Sequence, residues 1–133
     1  ISLFFSLVCF SQNEQLAQYY YDKGDFEKAK ISYEELLKSI PQNSQYFLRT
    51  IDCYQQLQQF DTAEKAIFER FNTYKQGTLL VELGYNFQLQ KNDVNRYEIL
   101  FNKGIISAQD FDNKKLGYLQ AEKNYKNLFN WKQ

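Results

Sequence analysis

Residues 24–29, which read Gly-Asp-Phe-Glu-Lys-Ala, form the stretch that decides the fold. Gly24 suits a left-handed position at the end of one helix, and Asp25 can cap the helix that follows. From Ala29 onward, apolar side chains recur every three or four residues, and charged side chains fill the opposite face. Pro41 ends this second helix, because proline cannot continue a helical backbone. The stretch therefore predicts a turn between two helices.

The same pattern recurs with a period of about 34 residues, when residues 16–41 are laid over residues 50–75. The coincidences include Tyr20 with Tyr54, Phe26 with Phe60, and Ala29 with Ala63. A third and weaker copy follows at an offset of about 33 residues. One helix pair cannot bury its own apolar face, so the pairs are expected to stack against one another. No stretch alternates as a strand requires, and the sequence therefore predicts an all-α fold.

The repeat predicts three helix pairs in residues 12–107, followed by a partial fourth repeat or a terminal helix in residues 108–133. Ser44 and Asp61 are expected to cap helices, because short polar side chains favour the position before a helix. Turns are expected at residues 23–25, 42–44, 58–59, 75–77 and 91–93. The later helices are expected at Thr78–Gln90, at Val94–Ser107 and from about Asp112 to Asn124.

Residues 1–11 are interpreted as the remnant of an export signal, because they are apolar and the chain turns polar from Gln12 onward. The run is too short to cross a bilayer, which needs about 20 residues. Cys9 and Ser11 have the small-x-small spacing of a cleavage site. A buried helix turn or strand is one alternative. Acylation of Cys9, as in a lipoprotein, is another, and the bulky Val8 before it disfavours that interpretation.

The composition excludes most catalytic chemistry. The chain has no histidine, which removes the commonest general base and metal ligand. Its two cysteines are far apart, and its glycines do not form a phosphate-binding loop. Sixteen basic residues balance sixteen acidic ones, so the overall charge gives no sign of nucleic-acid binding. We therefore expect no enzyme activity, no cofactor and no metal site, and we expect Cys53 to be a small core residue.

The repeat resembles the tetratricopeptide family. The matching features are the Gly-Asp-Phe-Glu-Lys-Ala turn, the later Tyr33, Leu36 and Pro41, and the length of the period. Two positions of the second unit depart from the family pattern: Gln58 stands where the turn glycine is usual, and Lys75 where the proline is usual. In the third unit, Arg96 or Tyr97 stands near the expected alanine. The resemblance implies a right-handed superhelical solenoid of antiparallel helix pairs, with about three repeats plus a partial fourth. The pattern is also similar to exported tetratricopeptide proteins of Bacteroidetes-type bacteria.

In this family, the first helix of each pair lines a concave groove that binds a protein or peptide. Carried onto this chain, the resemblance implies a groove with three groups of residues: Gln18, Tyr21 and Asp22; Leu48, Arg49, Asp52, Gln55 and Gln56; and Val81, Glu82, Tyr85, Gln88 and Leu89. Tyrosine, glutamine and arginine suit recognition, because they combine contact area with hydrogen bonding. The alternative for each residue is an ordinary solvated surface position.

The leading functional hypothesis is a non-catalytic scaffold, exported to the periplasm or cell envelope, that binds a protein or peptide in this groove. The alternative is a sensory or regulatory input domain of a longer envelope signalling protein. No nucleic acid and no small-molecule substrate is expected. Membrane attachment is expected only through a segment outside this sequence. Self-association through exposed apolar ends is a further possibility.

Overall fold

The computed structural model describes residues 2–130, with side chains described for residues 11–128. The described residues form helices and no strand, which confirms the all-α prediction. The six helices are α1 (Ser2–Asp22), α2 (Phe26–Ser39), α3 (Ser44–Gln56), α4 (Phe60–Tyr74), α5 (Thr78–Asn102) and α6 (Ala108–Asn130).

The helices divide into two compact units, Ile1–Gln59 and Phe60–Gln133. In the first unit, α2 packs against both α1 and α3. In the second unit, α5 packs against both α4 and α6, while α4 and α6 touch each other only slightly. Each unit therefore has one helix that supplies apolar contacts to two neighbours.

The core of the first unit combines small and aromatic side chains. Ala17 on α1 and Ala29 on α2 are fully buried, which allows these two helices to approach closely. Tyr33 of α2 and Tyr46 of α3 fill the neighbouring space, with their ring centroids 6.3 Å apart. Cys53 is also fully buried and belongs to this cluster. The expectation that Cys53 is a core residue is confirmed.

Three helix ends use the same backbone arrangement. The residue just after each of these helices takes a left-handed conformation, with φ of 75° at Gly24, 60° at Gln58 and 71° at Gly104. The next amide donates a hydrogen bond to the carbonyl five residues earlier, as in Asp25 to Tyr20 (2.9 Å), Gln59 to Tyr54 (2.8 Å) and Ile105 to Leu100 (2.9 Å). This is the Schellman motif, which satisfies carbonyls left open at a helix end. The turns predicted at residues 23–25 and 58–59 are confirmed.

The second helix begins and ends as the sequence predicts. The Asp25 carboxylate accepts a hydrogen bond from the Lys28 amide (3.3 Å), so the predicted cap is present. The helix ends at Ser39, two residues before Pro41. Local chemistry alone therefore accounts for both ends of α2.

Two predicted helix caps are wrong, each by one or two residues. Asn43, not Ser44, caps α3, and its side chain accepts a hydrogen bond from the Tyr46 amide (3.0 Å). Asparagine and serine cap helices about equally well. Because Asn43 and Ser44 are adjacent, the residue type alone does not determine which of them caps α3. Helix α4 begins at Phe60, which places Asp61 inside the first turn. A carboxylate there still interacts favourably with the helix dipole.

The turn predicted at residues 91–93 is wrong, because α5 runs without a break from Thr78 to Asn102. Asp93, whose polarity suggested a loop, is only 6% exposed. Its carboxylate pairs with Arg96 on α5 and with Lys114 on α6, the latter at 2.7 Å. These ion pairs allow the carboxylate to stay within the helix.

The third helix pair is therefore α5 with α6, joined at residues 103–107. The helix expected from about Asp112 to Asn124 is present but longer, from Ala108 to Asn130. Stacked rings join the two helices, with centroids 5.2 Å apart for Phe101 and Phe111 and 5.0 Å apart for Phe87 and Tyr125. Between Val94 and Ala121, none of the described residues is buried, so the turn end of this pair is thinly packed.

The predicted leader occupies the first part of α1 from Ser2 onward, while Ile1 lies outside the described residues. The side chains of residues 1–10 are also outside the described part, so cleavage before Gln12 and acylation of Cys9 stay predictions. Among the residues that the structure describes, no helix has both the length and the apolar character needed to cross a membrane.

Replacing Gln58 with glycine should stabilise the protein. A left-handed conformation is strained for a residue with a Cβ atom, and glycine adopts it freely. We expect Gln58→Gly to raise the free energy of unfolding by about 0.5–1 kcal/mol, measured by urea denaturation. The matched control is Glu35→Gly, at an exposed helical position of α2, which should lower the free energy of unfolding by about 1 kcal/mol. Destabilisation by Gln58→Gly would contradict the positive φ at this turn.

Replacing Asp93 with alanine should destabilise the α5–α6 pair. Lys114 would lose its partner, and the polar contact between the two helices would disappear. We expect a loss of about 2 kcal/mol, below the roughly 3–5 kcal/mol found where both charges are buried. Asp112→Ala, an exposed acidic position on α6, is the control and should change the melting temperature little. Equal melting temperatures for the two variants would contradict the structural role of Asp93.

Candidate functional site

Residues predicted for the groove come together where α1 and α3 of the first unit meet. The Tyr21 hydroxyl on α1 donates a hydrogen bond to the Asp52 carboxylate on α3. The guanidinium carbon of Arg49, also on α3, lies 4.1 Å from the centroid of the Tyr21 ring. Such a contact between a cation and an aromatic face is attractive, so Tyr21 is held by two different interactions.

A second set of hydrogen bonds supports this arrangement. Gln18 donates to Asp22 one turn later on α1 (2.7 Å). The Gln18 side-chain oxygen accepts a hydrogen bond from the hydroxyl of Tyr33 on α2 (3.1 Å). Tyr33 is buried, so these hydrogen bonds connect the exposed Asp22 side chain, through Gln18, to the core. We call the five predicted residues Gln18, Tyr21, Asp22, Arg49 and Asp52 the α1–α3 surface.

The tyrosine hydroxyls of this region stay protonated well above neutral pH. Burial raises the pKa of Tyr21, and the hydrogen bond to Asp52 and its charge raise it further, while Arg49 acts in the opposite direction. Burial also raises the pKa of Tyr33, again opposed by Arg49. The α1–α3 surface therefore offers neutral hydroxyl groups, one cation and carboxylates. This set can recognise a ligand by hydrogen bonds and charge.

The other groove residues predicted on α3 have different environments. Leu48 and Gln56 are exposed and can contact a partner. Gln55 is only 7% exposed, so little of its side chain is accessible, and its place in a groove stays a prediction. Helical periodicity turns Gln55 inward, close to the face that carries Ile51.

The residues predicted on α5 belong to the second unit. Val81 is 71% exposed and Tyr85 is 54% exposed, one turn apart on the same helix face. The Gln88 amide donates to Asn92 (2.9 Å), which leaves its side chain ordered along the helix. Glu82 and Leu89 are half-buried. Val81, Tyr85 and Gln88 are therefore the exposed side chains of this group.

A cavity between α4 and α6 was missed by the sequence analysis. It has a volume of about 440 Å³ and lies entirely within the second unit. Its lining comes from one face of each helix: Asp61, Glu64, Lys65, Phe68, Glu69 and Asn72 on α4, and Gly117, Gln120, Ala121 and Asn124 on α6. We call this cavity the α4–α6 groove. Gly117 and Ala121, two small residues four positions apart on α6, were the available sequence signal.

Glu64 is the half-buried carboxylate of the α4–α6 groove. Its Oε1 atom accepts a hydrogen bond from the Asn124 amide group across the groove (3.1 Å). Burial raises the pKa of Glu64 and the charge of Asp61 adds to this effect, while the Asn124 hydrogen bond acts against it. In the described part of the chain, no basic side chain forms an ion pair with Glu64, Asp61 or Glu69.

The described residues contain no group of three or more histidine, cysteine, aspartate or glutamate side chains that could hold a metal ion. Cys53, the cysteine whose side chain is described, is unsuited to nucleophilic chemistry. Burial raises the pKa of its thiol to about 12, with the charge of Asp52 adding to the effect.

Comparison with known proteins gave no relatives. No protein-family model, no curated protein and no solved structure matches this chain.

The buried thiol gives a prediction for chemical labelling and for alkaline stability. In a Cys9→Ser variant, Ellman's reagent at pH 8 should leave the folded chain unlabelled and label one thiol after unfolding. The folded pKa of Cys53 lies above the unfolded one, so its stabilising effect is complete below pH ~9. That effect is lost as the pH rises towards about 12.

The control for this prediction is Cys53→Ala in the same background, measured by urea denaturation across the alkaline range. Removing the thiol should make the decline in stability with pH less steep, while the buried tyrosines retain their own contribution. Rapid labelling of the folded chain would contradict the buried position of Cys53.

Proposed function

We propose that this chain is a non-catalytic module that binds another protein or a peptide, and that the α1–α3 surface is its principal contact. One observation carries the proposal. Side chains from two helices that are not consecutive in the sequence, Tyr21 on α1 with Arg49 and Asp52 on α3, are fixed in one mixed polar and aromatic cluster.

The composition of this cluster suits recognition of a protein. Tyrosine and arginine are enriched among the residues that contribute most to binding free energy at interfaces. Here both side chains are already ordered, so a partner would lose little of its binding free energy to immobilising them. Exposed Leu48 on α3, and Val81 and Tyr85 on α5, are proposed as further contacts.

We further propose that the helix pairs form a tetratricopeptide-like solenoid. The left-handed residues Gly24 and Gln58 lie one sequence period apart, and both turns carry the same backbone hydrogen bonds. The packing of α2 between α1 and α3 agrees with stacked helix pairs. The third pair departs from the period, since its left-handed residue is Gly104.

The proposed location is the periplasm or the cell envelope. The support is the uncharged apolar run of residues 1–11, followed by a polar chain. In this setting the chain acts as a scaffold, because its contribution is to hold a partner and not to transform it.

Reversing the charge of Arg49 should remove partner binding. The immobilised chain is incubated with envelope extract from its source organism, and captured proteins are quantified by mass spectrometry. Arg49→Glu should reduce the specifically captured partner by about tenfold or more, since it removes both a cation and the contact with Tyr21.

The matched control is Lys38→Glu, which makes the same change of charge at an exposed position on α2. It should capture as much partner as the unchanged chain, and circular dichroism should show both variants folded. Equal capture by the Arg49 and Lys38 variants would refute the role of the α1–α3 surface.

A further inference from the structure

We propose that the α4–α6 groove is a second, independent binding site, which receives a lysine or arginine side chain from an extended or helical segment of a partner protein. This proposal does not depend on the function assigned to the α1–α3 surface. It rests on the shape of the groove, its charge, and the position of Glu64.

The shape of the groove comes from the way α5 separates α4 from α6. Both outer helices pack on α5 but barely touch each other, which leaves about 440 Å³ between them. Gly117 widens this space, because a Cβ atom built there would have no neighbour within 4 Å. Phe68 and Ala121 make part of the lining apolar. Lysine and arginine carry an aliphatic stem that packs on such surfaces while the charged end stays polar.

The charge of the groove is negative and local. Its lining contains three carboxylates, Asp61, Glu64 and Glu69, and a single basic residue, Lys65. The whole chain has a formal net charge of zero, so the negative potential belongs to this site and not to the molecule as a whole. A basic side chain is the ligand that such a site complements.

The Glu64 carboxylate is placed to receive that cation. The hydrogen bond from Asn124 orients the carboxylate through Oε1, which leaves Oε2 for a ligand. A half-buried carboxylate without a countercharge has lost part of its hydration, and a cation restores favourable electrostatics. The raised pKa of Glu64 agrees with this environment.

A basic side chain fits these carboxylates better than a metal ion does. In the described part of the chain, Asp61, Glu64 and Glu69 are not gathered into a group of metal-ligating spacing. A metal ion needs several oxygen ligands at one point. The guanidinium or ammonium group of a flexible side chain can instead interact with carboxylates that are spread along one helix.

The first test uses a short fluorescent peptide of alternating arginine and alanine, with binding to the full chain measured by fluorescence anisotropy at low ionic strength. Glu64→Gln and Glu69→Gln should each weaken binding by about three- to tenfold, because each removes one charge-assisted interaction. Asp112→Asn, an exposed acidic position on α6 outside the groove, is the matched control and should leave binding unchanged. Added salt should weaken binding.

A second variant blocks the groove without removing a charge. Gly117→Leu places a side chain in the open space above Gly117 and should abolish peptide binding. It should also raise the melting temperature slightly, since glycine is unfavourable inside a helix. Loss of binding without loss of folding therefore separates occupation of the groove from damage to the protein.

Lys38→Glu, at an exposed position on α2 outside both surfaces, should leave arginine-peptide binding unchanged. The proposal is overturned if Glu64→Gln and Gly117→Leu bind the peptide as the unchanged chain does, or if a glutamate–alanine peptide binds equally well. It is also overturned if light scattering shows that the unchanged chain self-associates and that Gly117→Leu abolishes this. The groove would then receive a second copy of the chain.

Discussion

The fold depends on how the chain reverses at the end of a helix. At Gly24, Gln58 and Gly104, a left-handed residue allows the following amide to reach a carbonyl near the helix end. The hydrogen bond satisfies backbone groups that would otherwise stay open. At Gly24 and Gly104, which each lie within one unit, the turn also returns the chain along the helix it has just left. In the first unit, this return brings Ala17 and Ala29 into the same core cluster.

In each unit one helix packs between two others, and each candidate surface is formed by the two outer helices. In the first unit, side chains of α1 and α3 reach each other over α2, and Tyr21 joins Arg49 and Asp52. In the second unit, α4 and α6 stay apart over α5, and the space between them becomes a groove. One arrangement thus produces a fixed cluster of side chains in one unit and an open cavity in the other.

The sequence predicted features that depend on neighbouring residues and missed features that depend on distant ones. The turn at Gly24, the cap at Asp25 and the buried Cys53 follow from local pattern, and the structure confirms them. Asp93 looked like part of a polar turn, because its partner Lys114 lies on the next helix, far along the chain. The α4–α6 groove was missed for the same reason, since it exists only once both helices are placed against α5.

The unequal lengths of α4 and α5 have a consequence for local motion. Helix α5 has 25 residues and α4 has 15, so at about 1.5 Å per residue α5 extends well beyond its neighbour. No described residue between Val94 and Ala121 is buried, and this end of the hairpin has little apolar packing to lose. Its amide protons should exchange with solvent through small openings, while those of the core exchange only when the unit unfolds. We accordingly expect the loop beside Gly104 to be open to protease cleavage.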